Sequence, residues 1–278
     1  MKVGFCVYLR TRDVYEHIKS AAEKGFDNGQ IQIWDVSLYT DEIVTELKRA
    51  CEDFHFTITA VWCGWSGPCD FSYPGMYATL GLVPSEWRAQ RTQELLKGAE
   101  FARKLGVQDI ITHIGYLPDS PFHPDNVGVV QALRYICKRL KPYNQYFNFE
   151  TGEELPISLV HLMNAVGYDN MGINFDPANL MMNGRGSSPL AALEFLAPYI
   201  RGFHVKDCLK PVAPECKKIE VPAGKGDVNI PALIAKLHEI GYGGYLSIER
   251  ENYNEPELHK REVAEIKQYV EELLNKLN

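Results

Sequence analysis

Four short stretches of this chain each close on a side chain able to bind a metal or carry a proton: Glu150, Asp176, His204 and Glu249. The clearest is Gly172-Ile173-Asn174-Phe175-Asp176-Pro177-Ala178-Asn179-Leu180. Successive side chains of a strand point to opposite faces, so Asn174 and Asp176 share one face, Ile173 and Phe175 share the other, and Pro177 stops the run. Residues 146–150, 202–205 and 245–249 repeat the design. Three carboxylates brought together repel one another and rise in pKa unless a cation keeps them ionised. Glu150, Asp176, His204 and Glu249 are therefore expected to bind one divalent metal ion. Three hard oxygen donors and one imidazole suit Mn²⁺ first, with Mg²⁺, Co²⁺ or Zn²⁺ as alternatives. Four protein ligands leave two positions on an octahedral ion, enough for adjacent oxygens of a hydroxy-ketone.

Strand patterns occur at 3–9, 30–34, 56–62, 109–115, 146–150, 172–176, 200–206 and 245–249. Helical patterns occupy 13–24, 41–53, 85–106, 126–140, 157–166, 189–196, 230–240 and 255–277, with Asp13 and Ser85 as caps and Gly25 and Gly167 as stops. Eight strands alternating with helices at this length predict a closed α/β barrel, a single (β/α)8 TIM barrel domain over residues 1–278. In such barrels the carboxyl ends of the strands converge on the active face, which makes the four candidate ligands neighbours. Two positions below them lie Asn148, Asn174, Gly202 and Ser247, a polar layer suited to orienting ligands. The long loops 63–84 and 207–227 read as lids.

Composition narrows the function. No apolar run among the 278 residues approaches the roughly 20 a membrane span needs. The first residues enter a strand and lack the zones of a secretion signal. Seven cysteines without a CxxC pair suit the cytoplasm. A net charge of −7 and a pI near 5.7 disfavour a nucleic-acid footprint. The expected partner is a small-molecule sugar, with neither nucleic acid nor membrane; a homo-oligomer is left open.

Further substrate contacts are expected from His113 at the end of the fourth strand, from Lys206 on the face of His204, and from Trp62 and Trp65 stacking on a sugar. Gly224 to Asp227 reads either as a phosphate cradle or, more simply, as a helix start capped by Asp227.

The motifs at 174–180, His204-Val205-Lys206-Asp207, Gly224-Lys225-Gly226-Asp227-Val228 and Ser247-Ile248-Glu249-Arg250-Glu251 resemble, in order and spacing, the xylose isomerase-like barrel superfamily in its sugar phosphate isomerase/epimerase branch. The resemblance covers the whole chain. It implies a metal on Glu150, Asp176, His204 and Glu249, and an acid/base role for Glu150 and Glu249 as in ketose 3-epimerases. Asn179 replaces a histidine that holds substrate in several of those epimerases, which makes it a substrate-contact candidate and a departure. The expected reaction is isomerisation or epimerisation of a keto-sugar or sugar phosphate by proton abstraction beside a carbonyl, through a metal-stabilised enediolate. A lyase or dehydratase acting on an inosose or oxidised sugar is the alternative. An abasic-site DNA endonuclease and a non-catalytic sugar-binding barrel stand behind it.

Overall fold

Alternating strands put one side-chain row into the barrel and the other against the helices, and here the two rows differ in chemistry. A computed structural model describes residues 1–183, 187–213 and 215–277. In chain order the elements are β1 (Lys2–Tyr8), α1 (Val14–Glu23), β2 (Asn28–Ile33), α2 (Asp41–Asp53), β3 (Thr57–Cys63), α3 (Tyr73–Thr79), α4 (Ser85–Lys104), β4 (Asp109–Thr112), α5 (Pro124–Leu140), β5 (Tyr146–Glu150), α6 (Pro156–Val166) and β6 (Met171–Phe175). There follow α7 (Pro177–Met182), α8 (Pro189–Leu196), β7 (Ile200–Val205), β8 (Asp207–Leu209), β9 (Ile219–Val221), α9 (Ile230–Glu239), β10 (Tyr245–Ile248) and α10 (Pro256–Asn275). Eight strands close in the order β1-β10-β7-β6-β5-β4-β3-β2, each parallel to its neighbours. This is a (β/α)8 barrel.

The outward row is apolar. Phe147, Phe149, Ile173, Phe175, Phe203, Val205 and Ile248 are fully buried under the helices, and Phe175 stacks on Phe203 at 5.8 Å. The inward row is polar: Gln30 on β2 bonds to Asn174 on β6 and to His204 on β7. Neither β6 nor β7 is a neighbour of β2 in the sheet, so the bonds cross the lumen. Gly202 makes room there, because a Cβ at that position would lie 2.2 Å from Asn174 Oδ1.

Local signals account for the helix ends. Asp13 accepts from the Glu16 amide at the start of α1, and Gly167 takes the left-handed conformation (φ +72°) that ends α6. Ser85 does not cap: it is the first helical residue after Pro84, and α4 begins with no side-chain cap bond.

The two long loops carry structure of their own. Loop 63–84 contains α3, and 207–227 contains the antiparallel pair β8–β9. The Arg91 side chain on α4 is fully buried and donates to four carbonyls of the first loop: Ser66 (3.2 Å), Pro68 (2.8 Å), Thr79 (2.7 Å) and Gly81 (2.7 Å). In the second loop, Asp207 accepts from the amides of Cys208 (2.8 Å), Gly224 (2.9 Å), Gly226 (3.0 Å) and Val228 (3.1 Å). Both loops are therefore pinned at their stems as walls. The amides that could have cradled a phosphate are taken by this chain's own carboxylate, and Asp227 is not the helix cap that the simpler reading expected. Asp227 instead accepts from the Lys210 amide, while Asn229 caps α9. Among the described residues no helix is long and apolar enough to cross a membrane.

Removing the Arg91 guanidinium strands these carbonyls, and a buried polar group left without its partner costs about 1–3 kcal/mol. Arg91→Met is expected to lose roughly 3 kcal/mol or more in urea unfolding, with faster amide exchange across residues 66–82. Unchanged exchange there would show that the wall does not depend on Arg91.

Candidate active site

The carboxyl ends of β5, β6, β7 and β10 deliver Glu150, Asp176, His204 and Glu249 to one point. His204 Nδ1 lies 3.2 Å from Asp176 Oδ2, 3.3 Å from Glu150 Oε1 and 3.2 Å from Glu249 Oε2. The four donor atoms all lie within 4.8 Å of one another, and all four residues are buried. Each is fixed by a different local device. Pro177 opens α7 straight after Asp176, whose Oδ1 caps the helix by accepting from the Asn179 amide at 2.8 Å. That leaves Oδ2 free to face His204. His204 Nε2 donates to Gln30 Oε1 at 2.8 Å, and Gln30 Nε2 donates to Asn174 Oδ1 at 2.8 Å, which turns Nδ1 toward the carboxylates. Glu150 accepts from Asn179 Nδ2 at 3.1 Å and from Trp62 Nε1. Glu249 accepts from Gln32 Nε2 and from Lys206 Nζ, the latter at 3.0 Å.

The electrostatics of the cluster could accommodate a cation. Burial pushes the Asp176 carboxyl up to about 6, against the opposing pull of Lys206 and His204. Burial also works against charge on His204, yet Glu249, Glu150 and the hydrogen bond to Asp176 outweigh it and hold its pKa well above the usual value. Glu249 sits well below the carboxylate range: burial opposes ionisation, but Lys206 and then His204 overcome it. Three carboxylates thus compete for the positive charge of one imidazole and one ammonium, and their spacing and Nδ1's orientation fit a divalent ion on all four donors. Cys6 also reaches His204 and Glu249, and burial pushes its thiol up to about 11.

Above this floor opens a cavity of about 260 Å³, below the roughly 300–1,000 Å³ of drug-sized pockets. Trp34, Trp62 and Phe71 form an aromatic wall, with Trp34 and Trp62 centroids 4.5 Å apart. Asn179, Met182 and Asn183 line it from α7 and its end. His113, Lys206, Glu220 and Glu251 also line it, as does Lys218, which donates to Phe71 O at 2.7 Å and to Asn183 Oδ1 and so ties the two loops together.

The structure brings His113, Asn179, Lys206 and Trp62 to the cavity. Trp65 stands apart: it packs behind the wall, 5.3 Å from Trp34 and 5.9 Å from Trp62, and does not line the cavity. Trp34 lines the cavity beside Trp62 instead. Gln30, Gln32 and Lys218 escaped sequence reasoning. The two glutamines had a legible signal, since they alternate with Ile31 and Ile33 as Asn174 and Asp176 alternate with Ile173 and Phe175. Lys218 had none, because its contacts are with residues distant in sequence.

Comparison with known proteins places this arrangement. Among curated proteins none matches the sequence. A xylose isomerase domain protein from Planctomyces limnophilus is 31% identical, with 99% of this chain and 97% of that one aligned at a TM-score of 0.92. A D-psicose 3-epimerase from Clostridium cellulolyticum H10, solved with D-tagatose, is 19% identical over 99% of each chain (TM-score 0.73). A xylose isomerase-like TIM barrel protein from Mycobacterium smegmatis, in complex with magnesium, is 17% identical over 99% of this chain and 97% of that one (TM-score 0.73). The last two likenesses concern the fold. The family model described as xylose isomerase-like TIM barrel matches residues 18–271. With that span matched and the barrel closed around a polar lumen, the chain belongs to the xylose isomerase-like TIM barrel family.

Proposed function

We propose that the protein is a divalent-metal-dependent isomerase or epimerase of a small keto-sugar, acting by proton removal beside a carbonyl. The observation that carries this reading is that Glu150 and Glu249 belong to one buried donor cluster and both line the same small cavity. A divalent ion on Glu150, Asp176, His204 and Glu249, with Mn²⁺ first in expectation, would polarise a substrate carbonyl and offset the negative charge that builds on its oxygen. The magnesium complex of the Mycobacterium smegmatis protein and the D-tagatose complex of the Clostridium epimerase support the metal and the sugar class.

The chain's own residues do the rest. Glu150 and Glu249 flank the cavity, one removing the proton and the other returning a proton to the opposite face. Trp62 and Asn179 hold Glu150 by neutral hydrogen bonds, whereas Lys206 holds Glu249 by a charged one. The two bases thus differ in environment, as an acid and a base must in one turnover. Trp34, Trp62 and Phe71 exclude water from one side of the sugar. Asp207's hold on the Gly224 and Gly226 amides supports an unphosphorylated substrate. Seven unpaired cysteines support a cytoplasmic setting.

Purified protein is expected to carry about one divalent ion per chain by elemental analysis, since the crowded carboxylates require it. Chelation should abolish deuterium exchange from solvent into D-fructose and D-tagatose, and Mn²⁺ should restore it. Full exchange in chelator, or a trinuclear zinc cluster, would overturn the single-ion reading.

Glu150→Gln and Glu249→Gln, compared at full metal occupancy, should each lower turnover by about 10²–10⁴-fold. One variant should still exchange the substrate proton starting from one epimer, and the other variant starting from its partner. Epimerisation retained in either variant would refute the pairing and favour a one-base isomerase, or a lyase that expels a hydroxyl from the same bound substrate.

A further inference from the structure

Two buried polar atoms beside the cavity have no hydrogen-bond partner among the described residues: His113 Nδ1 and Glu153 Oε2. They face each other at 3.6 Å, just beyond hydrogen-bond reach. His113 follows β4 at its carboxyl end, is 5% exposed and lines the cavity. Its ring is met edge-on by Trp62 at 5.8 Å and Phe71 at 5.6 Å, so it has little room to turn. Its other nitrogen, Nε2, lies 3.9 Å from Glu150 Oε1, on the side of the reacting groups. Glu153 is 0% exposed, and its Oε1 is 3.5 Å from Asn183 Nδ2. The chain between Glu150 and Glu153 is pressed against the imidazole: a Cβ on Gly152 would sit 3.1 Å from His113 Cε1 and Nδ1. Leaving a buried carboxylate oxygen unpaired is costly, and catalytic hydrogen bonds often tighten only when substrate is bound.

We infer that Glu153 is the positioning residue for His113, accepting its Nδ1–H and thereby presenting Nε2 to a substrate hydroxyl beside Glu150. This rests on the sugar isomerase reading above, and it names a residue that never touches the sugar. A ring fixed through Nδ1 offers the cavity one nitrogen in one direction, and a hydroxyl can donate to it or accept from it. The turn Thr151-Gly152-Glu153 thus sets which sugar hydroxyl is held next to the proton-transfer centre. Glu154 supplies the control. It is equally buried, and its carboxyl is pushed up to about 8 by burial and by the neighbouring Glu153. Its Oε1 accepts from the Gly152 amide at 3.2 Å.

Side-chain ¹⁵N NMR of Mg²⁺-loaded protein, with His113 assigned by its loss in His113→Asn, reads the proton position without any turnover. Nδ1 should be protonated in the wild type, lose that preference in Glu153→Leu, and keep part of it in Glu153→Gln, whose amide oxygen can still accept. In deuterium exchange into D-tagatose and D-fructose, Glu153→Leu should lower kcat/KM by about 10–100-fold, with Glu153→Gln intermediate and Glu154→Gln near wild type. In a His113→Asn background the Glu153→Leu effect should shrink to about twofold or less, as expected for residues acting as one unit. A bare Nδ1 in the wild type, or an undiminished Glu153 effect without His113, would overturn the inference. If neither sugar exchanges even with the wild type, the sugar reading fails while the NMR result still decides the role of Glu153. If Glu153→Leu does not fold, the wild-type and Glu153→Gln spectra decide it.

Discussion

Mutual repulsion among three buried carboxylates is the constraint around which this barrel is built. Glu150, Asp176 and Glu249 converge within 4.8 Å at donor atoms removed from solvent, where like charges are least screened. Such a cluster persists only with positive charge inside it. His204 Nδ1 sits at its centre and Lys206 reaches Glu249 at 3.0 Å, and a divalent ion on the four donors would complete the balance. The surrounding hydrogen bonds serve this core: Gln30 turns His204, the cap of α7 orients Asp176, and Trp62 and Asn179 hold Glu150.

That requirement divides the labour of the barrel between its two surfaces. Stability comes from the outside, where a continuous apolar layer including Phe147, Phe149, Phe175 and Phe203 is sealed under the helices. The lumen, which in an ordinary barrel holds packed aliphatic side chains, instead carries Gln30, Gln32, Asn148 and Asn174. Buried amides are costly unless they are bonded, and the chain Asn174–Gln30–His204 shows how bonds across the lumen meet that need. The polar lumen gives up hydrophobic packing for control over the direction of four side chains.

The cavity is bounded by loops with fixed roots. Arg91 gathers four carbonyls of one loop, Asp207 gathers four amides of the other, and Lys218 joins the first loop to the end of α7. A charged side chain at the focus of several backbone groups replaces the regular ladder that loops lack. Together these contacts bound a pocket of about 260 Å³ above the donor cluster.

The eight-strand alternation, the carboxylates at strand ends and the polar layer beneath them were legible in the sequence, because strand periodicity and proline stops are local properties. So was the set Glu150, Asp176, His204 and Glu249, since each member closes its own strand. The helix α3, the pair β8–β9, the buried role of Arg91 and the displacement of Trp65 by Trp34 were not, because each depends on contacts between residues far apart in the chain. Sequence offered Gly224 to Asp227 as a phosphate cradle or helix start; only the tertiary structure brought Asp207 close enough to occupy the amides and left the capping to Asn229. The same holds for Glu153 and His113, which are 40 residues apart and come within 3.6 Å because β4 and β5 are neighbours in the barrel. The sequence by itself determined which residues reach the barrel mouth, through a period of two that any strand imposes. The tertiary structure decided which of them touch, because that depends on strand order, on loop anchoring and on which hydrogen bonds can be satisfied across the lumen.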